Sequence, residues 1–355
     1  MQKFTLYFLS LIFLCSCKES VFTSKVETAE YPASATELKM QKLETDEFYS
    51  QFFSIYDNLL ISSNPNSNEY FFYVSELNNN KPLGGFMRRG QGPAEYISLA
   101  PIRRIERKGD DLIALTYEPN RRELLEWNIT KSIEKGRDSV KTLGSYKNAN
   151  DLDLAYSAIY KIGNAKYLAS TPGFTSYNGT RAVPTYWLLE GIKGEPTQYY
   201  SFVKSPISNS QCSIGEDQIL DSSWSLSPDN SKIVTTMKWL DQINIIDINN
   251  NHIRSYRVKG SPNENIFYGR MENPKYHYQD VVCCDSLIYA LYSGETIKEF
   301  SETMGCDKIY VFDWDGEFKE IYHLPVPLLR IWLDPSSNIL YGYSESEEAL
   351  YRLDL

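Results

Sequence analysis

The sequence predicts an all-β fold: a six-bladed β-propeller with four antiparallel strands per blade, its ring closed by an N-terminal strand that joins the C-terminal blade. Three observations predict it. Six segments repeat one pattern of strand, tight polar turn and aliphatic strand. A third strand-like run follows each of them, and five go on to a turn and a fourth run. The sixth repeat stops at Leu355 without a fourth strand, whereas Leu38–Glu44, near the other end, alternates like a strand and has no partner of its own.

The six repeats are Phe53–Ser62, Ile102–Thr116, Ala158–Thr171, Trp224–Thr236, Val281–Ser293 and Ile331–Ser344. One matching position in each second strand is Leu60, Ile113, Tyr167, Ile233, Ile288 and Leu340, so the steps are 53, 54, 66, 55 and 52 residues. Third strands start at Tyr70, Glu123, Thr185, Gln242, Lys308 and Ala349. Fourth strands start near Pro82, Ser139, Thr197, His252 and Phe318. Val, Ile, Tyr and Phe favour a pleated, half-buried surface, and Asp, Asn, Gly and Pro favour the turns between. Pairing Leu38–Glu44 with Ala349–Leu355 completes the sixth sheet and protects its edge. Helical periodicity is scarce; Glu295–Met304 is the one stretch that reads as a short helix.

The chain runs up and down four times per blade. First-to-second and third-to-fourth turns therefore share one face, and these are mostly short. Second-to-third loops and blade connections share the other, which carries the long Thr171–Pro184 and Ser293–Asp307 loops. Elaborated loops on a rigid scaffold are the usual place for binding, so a site is expected on this long-loop face, near the central channel.

Composition narrows the function classes. With 42% hydrophobic and 23% charged residues in 355, the chain is an ordinary globular one. Its 27 tyrosines support strands first and a glycan- or peptide-binding surface second. A formal net charge of −10 repels phosphate backbones, so no nucleic acid partner is expected. The pairs Arg88-Arg89, Arg103-Arg104 and Arg121-Arg122 are short and interrupted, and read as solvated strand edges.

Residues 1–17 carry one Lys before an apolar run from Phe4 to Leu14, the shape of a signal peptide and too short for a mature span. The run ends in Leu14-Cys15-Ser16-Cys17, which resembles a bacterial lipobox with Cys17 as the acylated residue; Cys15 departs from the usual residue at its place. An ordinary secretory cleavage site is the alternative. The expected organisation is a lipoprotein signal peptide over 1–17, a polar tether over 18–37 and the propeller over 38–355. The expected location is the cell envelope, with the domain lipid-anchored to the outer membrane. Cys212, Cys283, Cys284 and Cys306 read as isolated thiols or one structural bridge, and no spacing suggests zinc.

One blade connection is distinctive: Arg88-Arg89-Gly90-Gln91-Gly92-Pro93-Ala94-Glu95-Tyr96, two glycines and a proline beside opposite charges. Lys259-Gly260-Ser261-Pro262-Asn263-Glu264 echoes it. Structural corners, with the Glu bonded to nearby backbone, are the plain reading of both. Neither matches a phosphate loop or dinucleotide fingerprint. The first loop resembles the Gly-x-Gly-Pro-x-Glu-aromatic signature of the six-bladed β-propeller lipoproteins abundant in Bacteroidota, relatives of the TolB-like and NHL-like propellers. The matching residues are Gly90, Gly92, Pro93, Glu95 and Tyr96. The resemblance implies the fold and the location; it carries over no catalytic residues. The turn Ser227-Pro228-Asp229-Asn230-Ser231-Lys232 also looks like that of TolB-like blades.

The functional expectation is a lipid-anchored propeller that binds a glycan, peptide or envelope protein through its long-loop face. Arg88, Arg89, Glu95, Tyr96, Tyr268, Arg270, Tyr276 and Tyr278 are the candidate contacts. No catalytic residue, cofactor or metal site is assigned. The alternative is an envelope hydrolase or lyase with a carboxylate-bound metal, Ca²⁺ foremost, in the central channel. Asp151-Leu152-Asp153 is the nearest acidic cluster and fits no EF-hand loop. His252, His277 and His323 are scattered, and no Gly-x-Ser-x-Gly elbow occurs.

Overall fold

Short polar turns cut the chain into strands, and the strands assemble into six sheets around an axis. The computed structural model describes residues 20–45, 51–64, 66–145, 156–171, 183–191, 195–204, 214, 218–262 and 273–355. Three N-terminal strands come first: β1 (Val26–Ala29), β2 (Ala35–Glu37) and β3 (Lys39–Lys42). Blade 1 is β4 (Phe53–Tyr56), β5 (Leu59–Ser63), β6 (Tyr70–Glu76) and β7 (Pro82–Arg88). Blade 2 is β8 (Ile105–Lys108), β9 (Asp111–Glu118), β10 (Glu123–Asn128) and β11 (Val140–Ser145), with helix α1 (Ile129–Lys135) between its last two strands. Blade 3 is β12 (Ala158–Gly163), β13 (Lys166–Thr171), β14 (Thr185–Glu190) and β15 (Glu195–Tyr200).

Blade 4 is β16 (Ser222–Leu226), β17 (Lys232–Met237), β18 (Gln242–Asp247) and β19 (His252–Val258). Blade 5 is β20 (Tyr278–Cys283), β21 (Leu287–Tyr292), β22 (Cys306–Asp313) and β23 (Phe318–Leu328), with helix α2 (Ile297–Thr303) before β22. Blade 6 is β24 (Arg330–Leu333), β25 (Leu340–Ser344) and β26 (Ala349–Asp354), completed by β3. First strands of successive blades touch one another (β16 to β20, β20 to β24, β24 to β4), so the first strands are innermost.

The ring closes as the sequence implies. β3 pairs antiparallel with β26, Met40 opposite Leu353 and Lys42 opposite Tyr351. The next amide continues the seam, Leu43 N donating to Leu350 O, while Leu38 N donates to His323 O on β23 of blade 5. The short helix expected within Glu295–Met304 is α2, opened by a capping box between Thr296 and Glu299.

Each gap between neighbouring blades holds its own apolar cluster, because alternate residues of a strand face opposite ways. In blade 4, Ile243 and Ile245 pack toward blade 5, with Ile288 and Phe312, while Ile246 packs toward blade 3, with Leu168 and Tyr200. Trp127, fully buried between blades 1 and 2, stacks on Phe72 at 5.4 Å and donates its indole N–H to Ser132 of α1 at 2.9 Å. That helix lies on the short-turn face and breaks the expectation of short turns there. Asn128 caps its start, and Gly136 ends it in the left-handed conformation.

The structure corrects the tether expected over residues 18–37. From Ser20 onward the chain lies on the propeller's outer rim. Phe22 bridges to Val203 at the end of blade 3. β1 then pairs parallel with β19, and β2 parallel with β23, giving blades 4 and 5 a fifth strand each. The physical reason is the outer edge of each blade, a row of unpaired N–H and C=O groups that an extended segment can satisfy whatever its side chains. Phe22 secures the start of this strap; it is 1% exposed and packs with Phe202, Trp239 and Leu240. Blades 1, 2 and 3 keep β7, β11 and β15 outermost.

Candidate functional site

The innermost strands put charge into the central channel. Arg103 and Arg104 lie just before β8, Asp280 is on β20 and Arg330 opens β24. Asp280 is turned inward at a bulge: Tyr278 pairs with Tyr292 and Asp280 with Leu291, leaving Gln279 as the extra residue. The Gln279 carbonyl accepts the Ser223 hydroxyl of blade 4 at 2.8 Å. The Asp280 side chain, 4% exposed, accepts Ile331 N at 3.2 Å. Its other oxygen lies 3.7 Å from an Arg330 nitrogen and 3.9 Å from one of Arg103. Blades 2 and 5 face each other across the ring, so Arg103 and Asp280 span the channel.

Arg104 is held differently. Its Nε lies 3.1 Å from Glu106, its Nη2 donates to Pro228 O at 3.2 Å, and its Nη1 donates to Asn230 Oδ1. Those partners sit in the blade 4 turn, so Arg104 ties blade 2 to blade 4 on the short-turn side.

Cavities follow the same axis. One of about 240 Å³ opens at the long-loop mouth, bordered by Arg103, Ser222, Trp224, Lys238, Gln279 and Arg330. A second, of about 190 Å³, lies deeper, among Arg104, Tyr160, Trp224, Cys283 and Trp332. Burial pushes the Tyr160 hydroxyl up to about 12, so it stays protonated and able to donate. At the mouth, Lys238 Nζ pairs with Asp221 at 3.1 Å and lies 5.1 Å from the Tyr276 ring. Tyr276 is itself packed between Trp239 at 4.6 Å and Phe300 at 4.5 Å.

The residues singled out in the sequence distribute as follows. Tyr276 neighbours the mouth through Lys238. Tyr278 borders the mouth cavity but is 1% exposed, and its hydroxyl donates to Asp241 Oδ1 at 2.6 Å. Asp241 also accepts Ser261 Oγ at 3.1 Å, and burial pushes its carboxyl up to about 6. Arg88, Arg89, Glu95 and Tyr96 stand apart, on the connection from blade 1 to blade 2. There Glu95 Oε2 accepts Gly92 N at 2.9 Å and Arg88 lies 3.8 Å from Glu95. Arg89 lies over the Phe71 ring at 3.7 Å and donates to Asn64 O at 3.1 Å. Tyr96 packs on the core between blades 1 and 2. These contacts brace the loop from within, while the Arg88 side chain stays largely exposed.

Cys17, Tyr268, Arg270, Glu264, Cys212 and the Asp151–Asp153 cluster lie outside the described residues. Cys283, Cys284 and Cys306 are free thiols. Among the described residues no three His, Cys, Asp or Glu side chains gather as metal ligands, and no helix is long and apolar enough to cross a membrane. Sequence reasoning missed Arg103, Asp280 and Arg330. The signal for Arg103-Arg104 was available: the pair directly precedes a first strand, and first strands line the channel.

Comparison with known proteins agrees with this architecture. The profile of the TolB-like 6-blade propeller-like family matches residues 37–326. Among solved structures, a DUF4221 family member from Bacteroides vulgatus aligns with TM-score 0.57 at 12% identity, over 90% of this chain and 97% of its own. A Bacteroides fragilis protein presumed to be exported aligns with TM-score 0.55 at 11% identity, over 93% and 99%. No curated protein matches the sequence.

Proposed function

Since the chain belongs to the TolB-like six-bladed propeller family, we propose that it is an exported binding protein of the cell envelope, acylated at Cys17, that takes its ligand or partner at the long-loop mouth of the central channel. The observation that carries the binding reading is the mouth cavity itself. Four blades contribute to it: Arg103 from blade 2, Trp224 from blade 4, Gln279 from blade 5 and Arg330 from blade 6. The site is concave, sits on a rigid ring, and is lined mainly by polar and charged side chains that converge from different blades beside the Trp224 ring. Export is supported by the hydrophobic N-terminus and by the similar Bacteroides fragilis fold, whose protein is presumed exported. Anchoring is supported by Leu14-Cys15-Ser16-Cys17.

Photo-crosslinking tests the binding reading. A crosslinker at Ser222, on the mouth, captures a discrete envelope component, whereas one at Asn251, in a short-turn hairpin, does not. Equal or absent capture at both positions sinks the reading. Metabolic labelling with an alkyne fatty acid tests the anchor: the full chain takes up label and Cys17→Ser does not.

A further inference from the structure

We infer that the channel mouth is a seat for one carboxylate, held by Arg103 and Arg330, on a small ring-bodied ligand of the acidic-sugar type. This deepens the binding reading above and rests on it. The two guanidinium groups have donors to spare. Each Arg carries five N–H donors. Among the described residues, neither Arg103 nor Arg330 donates a hydrogen bond to the protein. Their contacts to Asp280, at 3.9 and 3.7 Å, are ion pairs longer than a hydrogen bond. The Arg330 Nε is buried and without a partner. Arg104, next to Arg103, by contrast engages Glu106, Pro228 and Asn230; a buried Nε without a partner also occurs at Arg89, so the two channel arginines are set apart by lacking hydrogen bonds from any of their nitrogens.

Asp280, held by Ile331 N, draws two guanidinium groups from different blades toward one point. Like charges converge there without a ligand because the carboxylate between them offsets their repulsion. A ligand carboxylate then meets donors already in place, so less ordering is left to oppose binding. Planar guanidinium groups match a carboxylate in two-point geometry.

Around the mouth Arg103, Lys238 and Arg330 face Asp221 and Asp280, leaving one cation in excess. That balance suits a monoanion better than a doubly charged phosphate. It runs against a chain whose net charge is −10. The cavity beneath offers Trp224, Tyr160 and Trp332, aromatic surfaces suited to the face of a ring.

Isothermal titration of the full-length protein tests this, with D-glucuronate as the probe, D-glucose as its neutral counterpart and inorganic phosphate as a second anion. The expected result is saturable binding of glucuronate, none of glucose and weaker binding of phosphate. Arg103→Gln and Arg330→Gln each weaken glucuronate about ten-fold or more, the usual scale for a charged hydrogen bond. Thermal unfolding of each variant confirms that it folds; Arg103, with 42% of its side chain exposed, is the safer one. Phosphate bound more tightly than glucuronate, glucose bound as well as glucuronate, or unchanged affinity in Arg103→Gln overturns the inference. So does a wild-type protein that binds neither anion. If the Ser222 crosslinker still captures a partner in that last case, the binding reading stands and only the carboxylate seat falls.

Discussion

Glu95 Oε2 occupies the space in which a β-carbon on Gly90 would stand, 1.9 Å from that position. Gly90 also has φ +152°, where L side chains are rare. Glycine is therefore required twice over, by backbone and by neighbour. Gly90→Ala is expected to lower stability by about 1–3 kcal/mol, measured by chemical denaturation. Glu95→Ala, which strips the Gly92 amide of its acceptor, costs about 1 kcal/mol. The double variant loses less than the two single losses added together, because the clash needs both side chains.

Asp241 makes stability depend on pH. Burial raises its folded pKa to about 6 from the ordinary 3.8, against the hydrogen bonds from Tyr278 and Ser261. The folded state thus binds this proton more tightly, so the contribution is full below pH 4 and is lost as pH rises through 6. Its size is about 1.4 kcal/mol for each tenfold difference in proton affinity between the folded and unfolded states. His277 acts in the opposite sense. Burial lowers it to about 4 from 6.5, so its contribution is present above 6.5 and is lost as pH falls toward 4. The wild-type profile mixes the two. Asp241→Asn is expected to gain stability relative to wild type as pH rises from 4 to 7, and His277→Gln as pH falls over that range. Urea unfolding at each pH reads both slopes; parallel curves for wild type and Asp241→Asn count against the assignment.

Phe22 fastens the strap. Phe22→Ala removes a fully buried ring from its contact with Phe202, Trp239 and Leu240, at a cost of about 3–5 kcal/mol. The loss is expected to be local before it is global. Amides of Val26–Ala29 exchange faster in this variant, while those of Leu59–Ser63 in blade 1 keep their protection. Uniform acceleration across both segments shows the strap to be inseparable from the ring.

Two of the described thiols are expected to be inert. Cys283 and Cys306 are buried, and burial pushes the Cys283 thiol up to about 12 and the Cys306 thiol well above its ordinary value. Cys284 is half-buried. Iodoacetamide at pH 8, read by peptide mass spectrometry, modifies Cys284 first; Cys283 and Cys306 react only in denaturant.

The ring was legible because each blade writes its own hairpins. Asp229, Asp313 and Asp334 each accept backbone amides within their turns, and the aliphatic runs beside them alternate as strands. Closure was legible because Leu38–Glu44 alternates and the last repeat lacks a strand. The strap was not, since Val26–Ala29 and Ala35–Glu37 are short and their pairing comes from backbone groups of a distant edge. The Gly-x-Gly-Pro-x-Glu loop drew notice by composition, yet its Glu serves the loop's own amide. Arg103 read as a solvated strand edge and Arg330 drew no notice, because Asp280, which gathers them, is remote from both in sequence.

The strap also fixes a leash. Val21 O accepts Lys204 N, and its side chain packs beside Trp239 on the long-loop face, so the chain is docked three to four residues after Cys17. Three residues, fully extended, reach only about 10 Å. A chain acylated at Cys17 therefore cannot swing out into solvent as one on a twenty-residue tether would. With the acylation proposed above, the outer rim at blades 3 and 4 would be held within that distance of the bilayer.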